Sequence, residues 1–180
     1  MQKNSITLRI VRVGVLAAIS VILMFTIRFS PFPAVPHLEY TPAGIPILFS
    51  TLMFGTIEGL FLSFVVSILQ WLTVSQHSGW IGALMQFLAM GSFVLMTGLI
   101  YKVKRTASGA TIALLFGGAV STVVMIGWNL IFTPIFWGTP IEAVWVAMPW
   151  IVAFNASRAI VNSIIAFAMF RMLKDKIFKI

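Results

Sequence analysis

The sequence predicts an all-α, polytopic membrane protein: one domain over residues 1–180, with six transmembrane helices and both termini in the cytoplasm. Three observations predict this. Hydrophobic residues make up 60% of the chain and charged ones only 9%, at a mean hydropathy of +1.05, whereas soluble domains carry about 25% charge. Stretches 40–57, 59–101 and 106–141 contain no Asp, Glu, Lys or Arg. At about 20 apolar residues per span they hold one, two and one helices, and further helices before Arg28 and around Arg158 complete the set. Finally, ten of the twelve basic residues form three clusters: Lys3, Arg9 and Arg12; Lys102, Lys104 and Arg105; Arg171, Lys174, Lys176 and Lys179. Six helices put all three clusters on one side, which the positive-inside rule assigns to the cytoplasm. The net charge of +8 therefore encodes topology and does not point to a nucleic-acid partner.

Each element follows in order. The first helix is expected over 7–27; it is basic and then apolar like a signal peptide, but no small-x-small cleavage site follows, so it reads as an uncleaved span. Gly14 and Ala18 lie four apart with Ala17 beside them, a spacing that lets another helix approach closely. Pro31, Pro33, Pro36 and Pro42 preclude regular helix in the next stretch, which reads as a semi-rigid outer loop able to act as a lid. Pro42 opens the second helix, expected to run to Phe54, with Glu39, Tyr40 and Thr41 at its entrance. A turn over 55–59 leads into the third helix, which reaches Val74, with Glu58 as an interfacial acid in its first turn. Helices over 80–101 and 108–131 follow. An outer loop is expected over 136–147, and a last helix from Pro149 to the basic tail.

The polar residues inside these spans carry the functional signal. Asn155, Arg158 and Asn162 share one helical face, and a guanidinium at membrane depth needs a partner, a wet cavity or a ligand. Glu39, Thr41, His77, Gln86, Asn129, Asn155 and Arg158 all fall in the outer half under this topology, which suggests one outward-facing cavity. Tyr40, Trp71, Trp80 and Trp128 at similar depth would give it flat apolar walls. No enzyme signature competes. The chain has no cysteine, two histidines and four acids, too few for a metal centre, and it lacks nucleophile-elbow, zincin and phosphate-loop motifs. No metal or cofactor is expected, and any ATP hydrolysis would belong to other subunits.

These residues resemble the substrate-binding S components of energy-coupling factor (ECF) vitamin transporters, in the riboflavin-transporter-like group. The likeness lies in the stretch from Leu38 through Glu39, Tyr40, Thr41 and Pro42 to Gly44, Ile45 and Pro46. It continues in Ser78-Gly79-Trp80 through Gln86-Phe87, and in Phe154-Asn155 followed by Arg158. The resemblance implies a bacterial cell-membrane subunit that captures a vitamin from outside. It also implies association with a transmembrane coupling protein and two ATPase subunits, with Gly14, Ala17 and Ala18 near the coupling protein. This chain departs from the group in having Ala153 before Phe154, Arg158 for a lysine, Gln86 for an asparagine and Gly44 for an acid. Those differences at cavity positions favour a small heteroaromatic ligand of hydroxymethylpyrimidine or pyridoxine type, with Glu39, Tyr40, Thr41, His77, Gln86, Asn129, Asn155 and Arg158 as binding residues. Riboflavin and pantothenate are the alternatives within the group, and a self-sufficient ion-coupled carrier using Glu39 or Glu58 is the alternative outside it.

Overall fold

The computed structural model describes residues 6–36, 38–74 and 79–177, with side chains as far as Lys174. Six helices follow in order: α1 (Ile6–Thr26), α2 (Gly44–Met53), α3 (Thr56–Thr73), α4 (Gly79–Val103), α5 (Ala107–Trp137) and α6 (Ile141–Ile177). Five of them are long and apolar enough to cross a membrane. α2, at 10 residues, is shorter than the expected second helix; at 1.5 Å per residue it covers about half of a ~30 Å hydrocarbon core. Non-helical residues 38–43 lead into it. Such backbone is tolerated at membrane depth only inside protein, and Thr41 and Ala43 are indeed buried.

All ten residues of α2 are buried, because α1, α3, α4 and α6 surround it. Its Ile47 and Leu48 meet Met24, Leu62, Phe93 and Phe170 in one core cluster. α1 contributes a stripe at helical spacing, Val13, Leu16, Ala17, Ser20 and Met24, and turns Val11, Val15, Ile19 and Ile22 outward, as a lipid-facing helix should. α4 and α5 pack along small residues. Ala110, Ala113 and Gly117 are buried, Thr97 Oγ1 donates to Ala113 O at 3.3 Å, and Ser121 Oγ donates to Ala89 O at 2.7 Å. Gly55, with φ +124°, permits the tight α2–α3 turn that no L side chain adopts easily.

Two expectations are corrected at the outer ends of α5 and α6. α5 does not stop at Ile131 but continues through Pro134 to Trp137, and α6 begins at Ile141, not at Pro149. The loop expected over 136–147 shrinks to Gly138, Thr139 and Pro140. Ending α5 before Pro134 and starting α6 at Pro149 overrates the cost of proline, which removes only one ladder hydrogen bond, a loss that a packed membrane helix absorbs. The real stop is Gly138, left-handed at φ +62°, and Pro140 then offers its carbonyl to the amides of Ala143 (3.0 Å) and Val144 (3.3 Å).

The charges segregate as the sequence implies. Arg9, Lys102, Arg105 and Lys174 border one cleft, so the basic clusters occupy a single end of the bundle. Glu58 sits in the first turn of α3, the position expected of it, and pairs with Arg9 at 2.8 Å.

Candidate functional site

At the end opposite the basic cleft, four helices and a strap enclose a cavity of about 110 Å³. The strap is the proline-rich connection between α1 and α2. Its ends are joined by a two-way backbone pair between Phe29 and Tyr40 (2.8 and 3.3 Å), and Ser30 Oγ caps the carbonyls of Pro36 (2.5 Å) and Leu38 (3.1 Å). Val35 is buried against Val144, Met148 and Ile151, and the Phe32 ring lies 5.9 Å from that of Trp150, which clamps the strap onto α6. Leu38 and Glu39 at its far end roof the cavity. The described residues of the proline-rich stretch are thus tied down at the mouth of the cavity.

The walls come from α3 (Ser67, Gln70, Trp71), α4 (Met85, Gln86), α5 (Met125, Asn129, Trp137) and α6 (Phe154, Asn155, Arg158). Arg158 donates from Nη2 to Gln86 Oε1 at 2.9 Å and forms no ion pair among the described residues. Its charge is therefore held by an amide and by the cavity. Asn129 and Asn155 each donate their amide nitrogen to the carbonyl one turn earlier, Met125 and Ile151, at 2.8 Å. Those bonds fix the orientation of both side chains in the wall. Below Arg158 a small chamber continues to Ser121 and Asn162. Tyr40 donates its hydroxyl to Asn162 Oδ1 at 3.0 Å, while the Nδ2 of Asn162 is buried without a partner.

Of the eight residues expected to bind ligand, Glu39, Gln86, Asn129, Asn155 and Arg158 line the cavity. Tyr40 lies one layer behind it through Asn162, Thr41 is buried beneath the strap, and His77 lies outside the described residues. Glu39 already has a cation: Arg28 donates from Nε to its Oε2 at 2.6 Å, a second guanidinium nitrogen bridges the same oxygen, and Nη1 donates to Val74 O at 2.5 Å. Arg28 thereby latches the strap to the end of α3. Sequence reasoning set Arg28 apart from the topological cations but did not find this role, because nothing local links it to Glu39 or Val74.

Sequence reasoning also missed Gln70 and Trp137. Gln70 carried the same signal as Gln86, an amide in an apolar helix, and its Oε1 is buried with no partner. Trp137 was hidden by the misplaced outer loop. Among the expected aromatic walls only Trp71 serves; Trp80 is 60% exposed and Trp128 stacks on Phe132 at 5.0 Å. On α1, Gly14 and Ala18 face outward and are available to a partner, whereas Ala17 is buried against the chain's own helices.

Residues 8–170 match the family model described as ECF transporter, substrate-specific component. The riboflavin transporter RibU of Lactococcus lactis subsp. cremoris is 30% identical over 128 residues, covering 70% of this chain but only 62% of that protein. RibU of Staphylococcus aureus is 28% identical over 183 residues, covering 97% and 93%. The riboflavin transporter FmnP of Bacillus subtilis is 29% identical over 119 residues, covering 65% and 62%. The match thus spans less than two thirds of the Lactococcus and Bacillus proteins. A solved S component of a bacterial ECF transporter superposes with a TM-score of 0.81 at 26% identity, over 94% of this chain and 96% of that one.

Proposed function

Because this chain belongs to the substrate-specific components of ECF transporters, we propose that it captures riboflavin from outside the bacterial cell for an ATP-driven uptake complex. The observation that carries the reading is the Arg158–Gln86 pair, held at membrane depth in a cavity with fixed asparagine amides and two tryptophans. An uncompensated guanidinium there is costly unless a ligand uses it. A flavin's dione edge offers acceptors on either side of an N–H donor, which suits a guanidinium and carboxamides together, and its flat ring suits Trp71 and Trp137.

Riboflavin displaces the hydroxymethylpyrimidine- or pyridoxine-like ligand preferred from the sequence. Relatives named as riboflavin transporters support it, and two of the four departures keep the chemistry, since Gln86 is still an amide and Arg158 still a cation; Gly44 does not replace the acid it stands for. The basic end faces the cytoplasm on the positive-inside argument, so the cavity and both termini take the orientation the charge pattern implies. A coupling protein and two ATPases complete the complex, and Gly14 and Ala18 are the α1 surface offered to the coupling protein.

A thermal-shift panel tests the ligand. Binding to the native state adds RT ln(1 + [L]/Kd), about 2.7 kcal/mol at 100 times Kd. Riboflavin is expected to give the largest shift among riboflavin, hydroxymethylpyrimidine, pyridoxine and pantothenate. A larger shift with one of the others would replace the substrate, and none at all in a folded sample would remove the capture role.

The cavity volume of about 110 Å³ is below the roughly 300–1,000 Å³ usual for ligand pockets, so a flavin enters only if the strap moves outward. Arg28 is the joint that must hold or yield. Arg28→Gln and Glu39→Gln are each expected to speed riboflavin release about fivefold in stopped-flow fluorescence, the effect of losing one half-exposed ion pair with its hydrogen bonds. The charge-swapped double variant should recover part of the loss. Unchanged release in both single variants would free the strap of any latch.

A further inference from the structure

The opposite end of the molecule holds a second recess that riboflavin capture does not use. It is a cleft of about 650 Å³ between α1, the α2–α3 turn, α4 and α6. Arg9, Lys102, Arg105 and Lys174 border it, and Glu58, itself paired with Arg9, is the one acid among its lining residues. The cleft is therefore strongly positive. Gly55, which supplies no side-chain cap, and the first turn of α3 line it, so the positive end of a helix dipole lies at its edge.

A separate observation identifies the kind of anion. An apolar groove of about 220 Å³ runs between α1 and α3, with Val13 at its floor and Ile10 and Phe61 along its sides. Arg9, Ile57 and Glu58 border both recesses, so the cationic cleft and the apolar groove adjoin across the Arg9–Glu58 pair. A free phosphate would use only the first, and a hydrocarbon only the second. One molecule with a phosphodiester and an acyl chain uses both, and basic pockets between membrane helices are recognised sites for such headgroups.

We propose that this end binds one anionic phospholipid of phosphatidylglycerol type, with its phosphate among Lys102, Arg105 and Lys174 and an acyl chain in the α1–α3 groove. The bound lipid would brace the junction of α1 with α3, where the Arg9–Glu58 pair lies. This site does not depend on which vitamin the chain carries.

Native mass spectrometry of the purified full chain tests it, with palmitoyl-oleoyl phosphatidylglycerol, the matching phosphatidylcholine and inorganic phosphate as probes. One phosphatidylglycerol should be retained in preference to phosphatidylcholine, and millimolar phosphate should not displace it. Lys102→Gln and Arg105→Gln should each weaken retention about fivefold, and the double variant about 25-fold. Lys104→Gln, which lies outside the cleft, should change it less than twofold. Equal retention of both lipids would overturn the proposal. So would displacement by phosphate alone, which means a free-anion site, or an equal loss in Lys104→Gln, which means diffuse surface attraction. If the double variant does not fold, the two single variants decide.

Discussion

Arg158→Ala is expected to weaken riboflavin binding about 100-fold while changing the protein's stability little. A hydrogen bond to a charged group contributes roughly 1.5–3 kcal/mol, or ten- to 150-fold in affinity. The variant also leaves the Gln86 carbonyl, now 2.9 Å from Nη2, without its donor. Stability should change little, because relief of the desolvation of a charge with no carboxylate partner among the described residues offsets the acceptor left unpaired on Gln86. Arg158→Lys should recover only part of the affinity, since an ammonium keeps the charge but loses the planar fork. Isothermal titration of the three proteins, with thermal melts of the same samples, separates the two effects. Unchanged affinity in Arg158→Ala would take the guanidinium out of the site.

Gly117→Leu is expected to damage the fold severely by forcing α4 and α5 apart. A Cβ at Gly117 would stand 2.3 Å from Thr97 Oγ1, 2.8 Å from a Phe93 ring carbon and 2.9 Å from the Phe93 carbonyl. α4 would have to move away, breaking the Thr97–Ala113 and Ser121–Ala89 hydrogen bonds that join the two helices. Overpacking of this kind costs about 1–3 kcal/mol for a methyl and more for a larger side chain, so roughly 3 kcal/mol or above is expected for leucine. Gly127→Ala on the same helix is the control, with nothing within 4 Å of its Cβ, and should shift stability by less than about 1 kcal/mol. Comparable melting temperatures for the two variants would mean that α4 and α5 are not held together along this stripe.

Much of the architecture was legible because membrane spans are written in composition: long uncharged runs, with the cations clustered before the first helix, between the fourth and fifth, and after the last. The cavity's amide and guanidinium residues were legible for a related reason. Polar groups are so costly at membrane depth that Gln86, Asn129, Asn155 and Arg158 stand out one by one. What could not be read was anything set by distant contact. Arg28 meets Glu39 across the strap and Val74 at the end of another helix, and no periodicity records such a meeting. Pro134 and Pro149 misled because a proline's local cost is visible in sequence, whereas the packing that outweighs it is not. Trp137 was lost to the site with them.

The most direct test is a titration of flavin fluorescence with the purified chain and no ATPase partner present. Capture of riboflavin predicts quenching that saturates at one flavin per chain and is abolished, at the same concentrations, in Arg158→Ala. Unquenched flavin in a folded sample, or equal quenching by wild type and Arg158→Ala, would contradict the account.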